Sequence, residues 1–293
     1  MTARIMLAAT LCAALTSASP PHRYRMTGLV VAVDHARETV VVSNDSIPGY
    51  MDAMTMSFRV REPRELLHLQ PGMNINCDLV VTRTSSYISG IHVLEYKSTQ
   101  AEPVEAARLS VLDSAMASAA SPDAPLQAGR TVPDFSLIDQ NRQTIRFSQF
   151  AGQVVAITFI YTRCPLPDYC VRMSNNFRQV QKRFAGRMGR DLVLLSISFD
   201  TVTDQPEVLA KYAEGWQANS VGWHFLTGPS ANVKRVCAMF GMNYWPDEGL
   251  LTHSLHTVVV DRAGTLVANI EGNHFSAEQL GDLLAATMDR GVR

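Results

Sequence analysis

The stretch ITFIYTRCPLPDYC, Ile157 to Cys170, joins a strand-forming run to a loop that holds two thiols. Its first half belongs to the longer run VVAITFIYT, continuously apolar and rich in β-branched and aromatic residues. Such a run predicts a strand covered on both faces, the signature of a parallel sheet sandwiched by helices. Helical spacing begins at Cys170 and continues to about Met188, so Cys164 follows the strand and Cys170 opens a helix. Helix N-termini carry partial positive charge and free N–H groups, which favour thiolate over thiol. Thiolate attacks disulfides and also binds metals, so this placement supports chemistry without choosing between exchange and coordination. A simple structural disulfide is the third option. Five residues separate the cysteines, and Pro165 and Pro167 restrict the loop between them. Fixing φ at two sites lowers the entropy cost of gathering two ligands.

Strands and helices alternate around this stretch. DLVLLSISFD reads as a second buried strand, QPEVLAKYAEGW as a helix and GWHFLTG as a short strand, with a further helix around Val236. PDFSLID and QTIRFSQF form a hairpin ahead of the central strand, and HTVVVDRAGTLVANI forms another behind it. SAEQLGDLLAATMDR closes the chain as an amphipathic helix with Ser276 as N-cap. The order predicts an α/β thioredoxin-like domain over residues 128–293.

The first half has a different texture. TGLVVAVD, ETVVVSN, MTMSFRV, MNINCDLVVTR and YISGIHVLEY are short, partly alternating and separated by turn formers. They predict a small all-β domain, an OB-like barrel, over residues 22–97. Residues 98–127 shift to Ala, Ser, Glu and Pro and read as a linker, partly helical. Met51, Met54 and Met56 crowd into NDSIPGYMDAMTMSF. Thioethers are neutral, soft ligands that suit Cu(I), and Met54 and Met56 would share one face of a strand. Methionine is also a good core filler.

Residues 1–19 carry one arginine, an apolar run too short to span a bilayer, and then small residues. This is a secretory signal pattern, placing the protein in the periplasm or outside the cell. Left uncleaved, it would tether the chain to the inner membrane. Of the remaining cysteines, Cys77 and Cys237 read as buried small hydrophobes. The chain has 293 residues and a formal charge of -1, with no large block of one sign. That argues against nucleic-acid binding and against a polybasic membrane surface.

TFIYTRCPLPDYC, SFDTVTDQPEVLAKYA and LTHSLHTVVVDRAG, taken together, resemble the Sco/SenC family over roughly residues 129–284. That family consists of thioredoxin-fold copper proteins linked to building the copper site of cytochrome oxidase. The resemblance implies copper as the metal, Cys164 and Cys170 as ligands and His253 as the third. A cytochrome oxidase subunit or another copper acceptor would be the partner. The chain departs from the family pattern in its longer loop and in Val171, which stands where a proline usually follows the second cysteine. His256, three residues on, is expected to point away from His253 and play a structural part. Asp200 and Asp204 match the family's acidic motif, though helix capping would explain them as well.

IPGYMDAMTMSF resembles the CusF-like copper-binding module over roughly residues 24–96. There Met54 and Met56 fall on the Met pair that binds Cu(I) or Ag(I). Asn44 stands near the family's histidine ligand, and Met51 replaces a metal-capping tryptophan. The whole chain thus reads as an exported copper chaperone. The rival reading is a periplasmic thiol-disulfide reductase that keeps a partner's cysteines reduced. Against it, GLLTHSLHT lacks the proline that typical thioredoxins place at this loop.

Overall fold

The computed structural model describes residues 21–94, 124–247 and 250–290. The expected signal segment, residues 1–19, and most of the expected linker lie outside the described residues.

The first unit is a five-stranded antiparallel sheet. Its strands are β1 (His22–Asp34), β2 (Thr39–Asn44), β3 (Met54–Arg59), β4 (Asn74–Val81) and β5 (Ser86–Val93), in the order β3-β2-β1-β4-β5. A bridge between Val60 and Ile88 brings the two edges together, and the Arg61 N–H donates to the Ile88 carbonyl at 2.9 Å. The sheet therefore curls upon itself, as the barrel expectation requires. Met26, Val30, Val42, Phe58, Ile75 and Ile88 fill its interior. Cys77 is a free thiol in that core, and burial, with smaller contributions from neighbouring carboxylates, pushes its pKa up to about 12. It is inert packing, as the alternating pattern implied.

The second unit is the expected thioredoxin-like sandwich. It runs β6 (Ser136–Asp139), β7 (Thr144–Arg146), β8 (Val154–Ile160), α1 (Arg172–Arg183), β9 (Leu192–Ser198), α2 (Pro206–Trp216), β10 (Trp223–Thr227) and α3 (Ser230–Met239). Then come β11 (Tyr244–Asp247), β12 (Leu250–His253), β13 (His256–Val260), β14 (Leu266–Glu271) and α4 (Ala277–Asp289). Seven strands form one sheet in the order β14-β13-β8-β9-β10-β6-β7, with β8, β9 and β10 parallel. Every residue of these three strands is buried, which explains their unbroken apolar character. Ser276 caps α4: its hydroxyl accepts the Gln279 N–H, and the Gln279 side chain accepts the Ser276 N–H. The β11–β12 hairpin was not foreseen. Its strands have four residues each, pair only with one another and include Pro246, so no period rises above the loop signal.

The barrel packs against α4 and β14. Leu29 of β1 joins the apolar core of the α/β unit. Gly72 has a left-handed backbone (φ 89°) and lies so close to β14 that an added Cβ would sit 2.7 Å from the Ala268 side chain. Polar contacts surround this seam. The Gln279 amide donates to the Ser43 carbonyl at 3.1 Å, and Arg290 donates to the Val31 carbonyl at 2.9 Å.

Candidate metal centre

The end of β8 is fixed before the first cysteine is reached. The buried Asp204 carboxylate accepts the Thr162 N–H at 2.9 Å, the Thr162 hydroxyl at 2.6 Å and the Ser198 hydroxyl at 2.5 Å. Asp200 takes the next side chain, with Arg163 Nη2 at 2.8 Å. Neither acid caps α2, whose N-cap is Gln205. The acidic motif instead anchors the exit of the strand that leads into the cysteine loop, holding the two residues just before Cys164.

The chain turns at Tyr161, whose carbonyl accepts the Cys164 N–H at 3.2 Å. It then re-enters a helix through one wide turn, Pro167–Val171, ahead of α1. That turn buries Cys170 while Cys164 stays half-exposed. His253 arrives from the opposite side, at the end of β12. The sulfurs of Cys164 and Cys170 and one ring nitrogen of His253 all lie within 4.8 Å of one another. The cysteine loop and a histidine more than 80 positions later in the chain thus converge.

The His253 ring is held from two directions. Its Nδ1 sits 2.8 Å from the Ser254 carbonyl, which can only accept, so Nδ1 donates there and Nε2 is the nitrogen left for the cysteine pair or a metal. Tyr161 and Tyr169 stand perpendicular to the ring at 5.7 Å and 5.8 Å, and Phe199 lies at 4.8 Å. These three aromatics were not singled out in the sequence; Tyr161 and Tyr169 stand in the opening stretch, but nothing in their spacing points to the histidine.

The two thiols are unequal. A hydrogen bond from Cys170 lowers the Cys164 pKa to about 4; burial opposes this, and further bonds from His253 and the loop backbone reinforce it. Cys170 moves the other way, raised first by that same bond to Cys164 and then by burial. Burial also raises Tyr161, with the neighbouring sulfurs adding to it. At neutral pH the pair therefore holds one thiolate and one proton. Two sulfurs and an imidazole nitrogen form a soft donor set that fits Cu(I) and also accepts Cu(II).

His256 lies outside this cluster, and its ring bonds the Asn269 side chain at 3.0 Å. Cys237 is buried and free, and burial raises its pKa.

In the barrel, Met54 and Met56 lie on one face of β3, paired across the ladder with Asn44 and Val42. Met56 and Met51 pack partly buried against the barrel core, whereas Met54 is exposed. The Met51 carbonyl accepts the Ile47 N–H at 2.7 Å, closing the loop that leads into β3. Asn44 is 2% exposed, and its amide donates to the Asp45 carbonyl at 2.8 Å and the Asp52 carbonyl at 3.5 Å. It clamps both ends of the methionine loop.

Known proteins place these two units. The SCO1/SenC family model matches residues 123–289, more than half of the chain. The model of the copper binding periplasmic protein CusF matches residues 23–93. A candidate copper-binding protein of Stutzerimonas stutzeri is 27% identical over 146 residues, 48% of this chain and 69% of the relative. An SCO2-like protein of Rickettsia felis is 28% identical over 138 residues, 45% of this chain and 64% of the relative. The chain thus spans about two thirds of the length of these relatives. A solved structure from Aquifex aeolicus VF5, a candidate electron transfer protein, has TM-score 0.50 at 18% identity. It covers 55% of this chain and 94% of its own, and supports the fold alone.

Proposed function

We propose, from the premise that the chain belongs to the SCO1/SenC family, that it is an exported copper chaperone. The observation that carries this reading is the convergence of Cys164, Cys170 and His253 within 4.8 Å. Copper is the cargo. The Cys164 thiolate is its first soft ligand, Cys170 joins on losing its proton to solvent, and His253 completes the set through Nε2. Met51, Met54 and Met56 offer a second, thioether site in the barrel that needs no deprotonation. Copper held there would pass to the Cys–His site within one chain, and from it to an acceptor such as the copper site of cytochrome c oxidase. Among the described residues no helix is long and apolar enough to cross a membrane. Export would rest on the N-terminal segment, whose retention would leave a membrane tether.

A second reading has one observation in its favour. A half-exposed Cys164 with pKa of about 4, beside a protonated Cys170, is also the arrangement of an attacking and a resolving thiol. The chain would then be a thiol-disulfide reductase serving a partner's metal-binding cysteines.

Anaerobic Cu(I) titration of the reduced protein against a competing chelator separates the two. Wild type is compared with the Cys164→Ser/Cys170→Ser double variant. Tight binding that loses one equivalent in the variant supports the chaperone, and a surviving equivalent belongs to the methionine barrel. Absence of tight binding, with normal thiol reactivity, favours the reductase.

A further inference from the structure

Cys170 is 1% exposed and His253 8%, although a copper carrier must both admit and release its cargo. The rings that pack around His253 are identifiable. Of the three rings around His253, Tyr161 and Phe199 are buried core side chains on or next to strands β8 and β9. Tyr169 is different: it is half-buried and sits on the loop between the cysteines, directly before Cys170. Its ring closes over the imidazole from the loop side.

A side-chain bond from outside the loop ties it down beside Tyr169. Asn273, itself 9% exposed, donates its side-chain amide to the Asp168 carbonyl at 2.7 Å. The preceding residue, Gly272, donates its N–H to the Leu255 carbonyl at 2.9 Å, two residues past His253. One turn between β14 and α4 thus bonds both the cysteine loop and the histidine loop. Outside the loop lies an open groove of about 470 Å³, flanked by Pro167, Asp168, Val171 and Glu278, which leaves room for the loop to move. Cys164 is held separately, through the Thr162–Asp204 anchor on the sheet.

We propose that residues 165–169 form a latched lid, with Tyr169 as the cover and Asn273 as the latch. Opening it exposes Cys170 and His253 for copper exchange. Cys164, on the fixed side and half-exposed, meets the ion first; lid opening then lets the two buried ligands close around it or let it go. Asn273 acts as a positioning residue and Tyr169 as a shield; neither is a ligand. The lid rests on the chaperone reading for its cargo, but its first test uses no copper.

The test is alkylation of the reduced, copper-free, full-length protein with iodoacetamide, each cysteine followed by peptide mass mapping. Wild type is compared with Tyr169→Ala, Asn273→Ala and the near-isosteric Asn273→Asp, which cannot donate to Asp168. Losing one such hydrogen bond or ring contact shifts a local opening equilibrium by about tenfold. Cys170 modification should therefore speed up about tenfold in each variant that keeps the wild-type circular dichroism, while the Cys164 rate changes far less. Rates at Cys170 equal to wild type in folded Tyr169→Ala and Asn273→Ala would overturn the lid. Stopped-flow transfer of Cu(I) to excess chelator should accelerate by a similar factor, at unchanged stoichiometry. Faster alkylation in a protein that binds no copper would leave the lid standing and remove the chaperone.

Discussion

Asp282, on the helix that closes the chain, accepts the Ser43 hydroxyl of the barrel at 2.7 Å. The same carboxylate takes the Thr55 hydroxyl from β3 and Arg183 of α1 at 2.6 Å. Ser43 and Thr55 face away from the side of β3 that carries Met54 and Met56. One acid therefore orients the methionine strand on the α/β unit from behind. Any transfer between the two proposed sites would then cross a packed seam, whereas a free tether would have to search.

Removing that acceptor should loosen the seam. Asp282→Ala leaves three donors without their partner and should cost about 2 kcal/mol. Small-angle scattering should show a larger radius of gyration, and limited proteolysis should cut between the units sooner. An unchanged profile would mean that apolar contacts such as Leu29 hold the barrel alone. The pH dependence has a definite sign. Burial works to raise the Asp282 pKa, but the bonds from Thr55, Ser43 and Arg183 outweigh it and hold the carboxyl below its usual range. A depressed carboxyl stabilises above its unfolded value, about 3.9, and that contribution fades as pH falls through the lower folded value. Docking should persist at pH 5 and weaken in stronger acid.

The thiol pair makes a second pH prediction. With the Cys164 pKa at about 4, its alkylation rate should be flat from pH 8 down to about 6 and should fall only near pH 4. Cys170 keeps its proton across that range. Cu(I) binding should then release one proton, and affinity should rise by about tenfold per pH unit. Calorimetry in buffers of different ionisation enthalpy counts that proton. Release of none would mean that Cys170 does not ligate.

His253 separates metal binding from exchange. His253→Ala removes the Nε2 donor and should weaken Cu(I) binding strongly in a chelator competition, while insulin-reduction or dithiol-exchange rates stay near wild type. Equal copper affinity in the two proteins would take the imidazole out of the site.

The candidate cluster was legible because each member stood in a contiguous motif next to a strong strand signal: Cys164 and Cys170 after VVAITFIYT, His253 before HTVVVD. The sheet was legible for the same reason, since β8 and β9 are buried on both faces and read as unbroken apolar runs. What surrounds the ligands was not. Tyr169 meets the His253 ring, and Asn273 reaches the Asp168 carbonyl across 105 positions of sequence; no local period records such contacts. Asp204 was ambiguous in the sequence for a related reason. An acid shortly before a helix looks like a cap, and only the tertiary structure shows its carboxylate turned toward Thr162. The seam at Asp282 is likewise invisible, because Ser43 and Thr55 are ordinary outward-facing strand residues until α4 covers them.

Asn44 offers the sharpest test of the barrel. It stands opposite Met54 on β2 and clamps the loop that carries Met51. Its amide is a poor copper ligand, so the soft donors on this stretch are the thioethers of Met51, Met54 and Met56. Asn44→His would place an imidazole across the ladder from Met54, in the same pleat. Measured in the Cys164→Ser/Cys170→Ser background, this variant should hold Cu(I) more tightly than its parent. The gain should vanish when Met54 and Met56 are both changed to Leu, which keeps their volume and removes their sulfurs. A gain that survives the loss of both sulfurs would place the barrel's copper elsewhere. No gain at all, in a folded variant, would return the methionines to core packing and leave Cys164, Cys170 and His253 as the chain's one copper site.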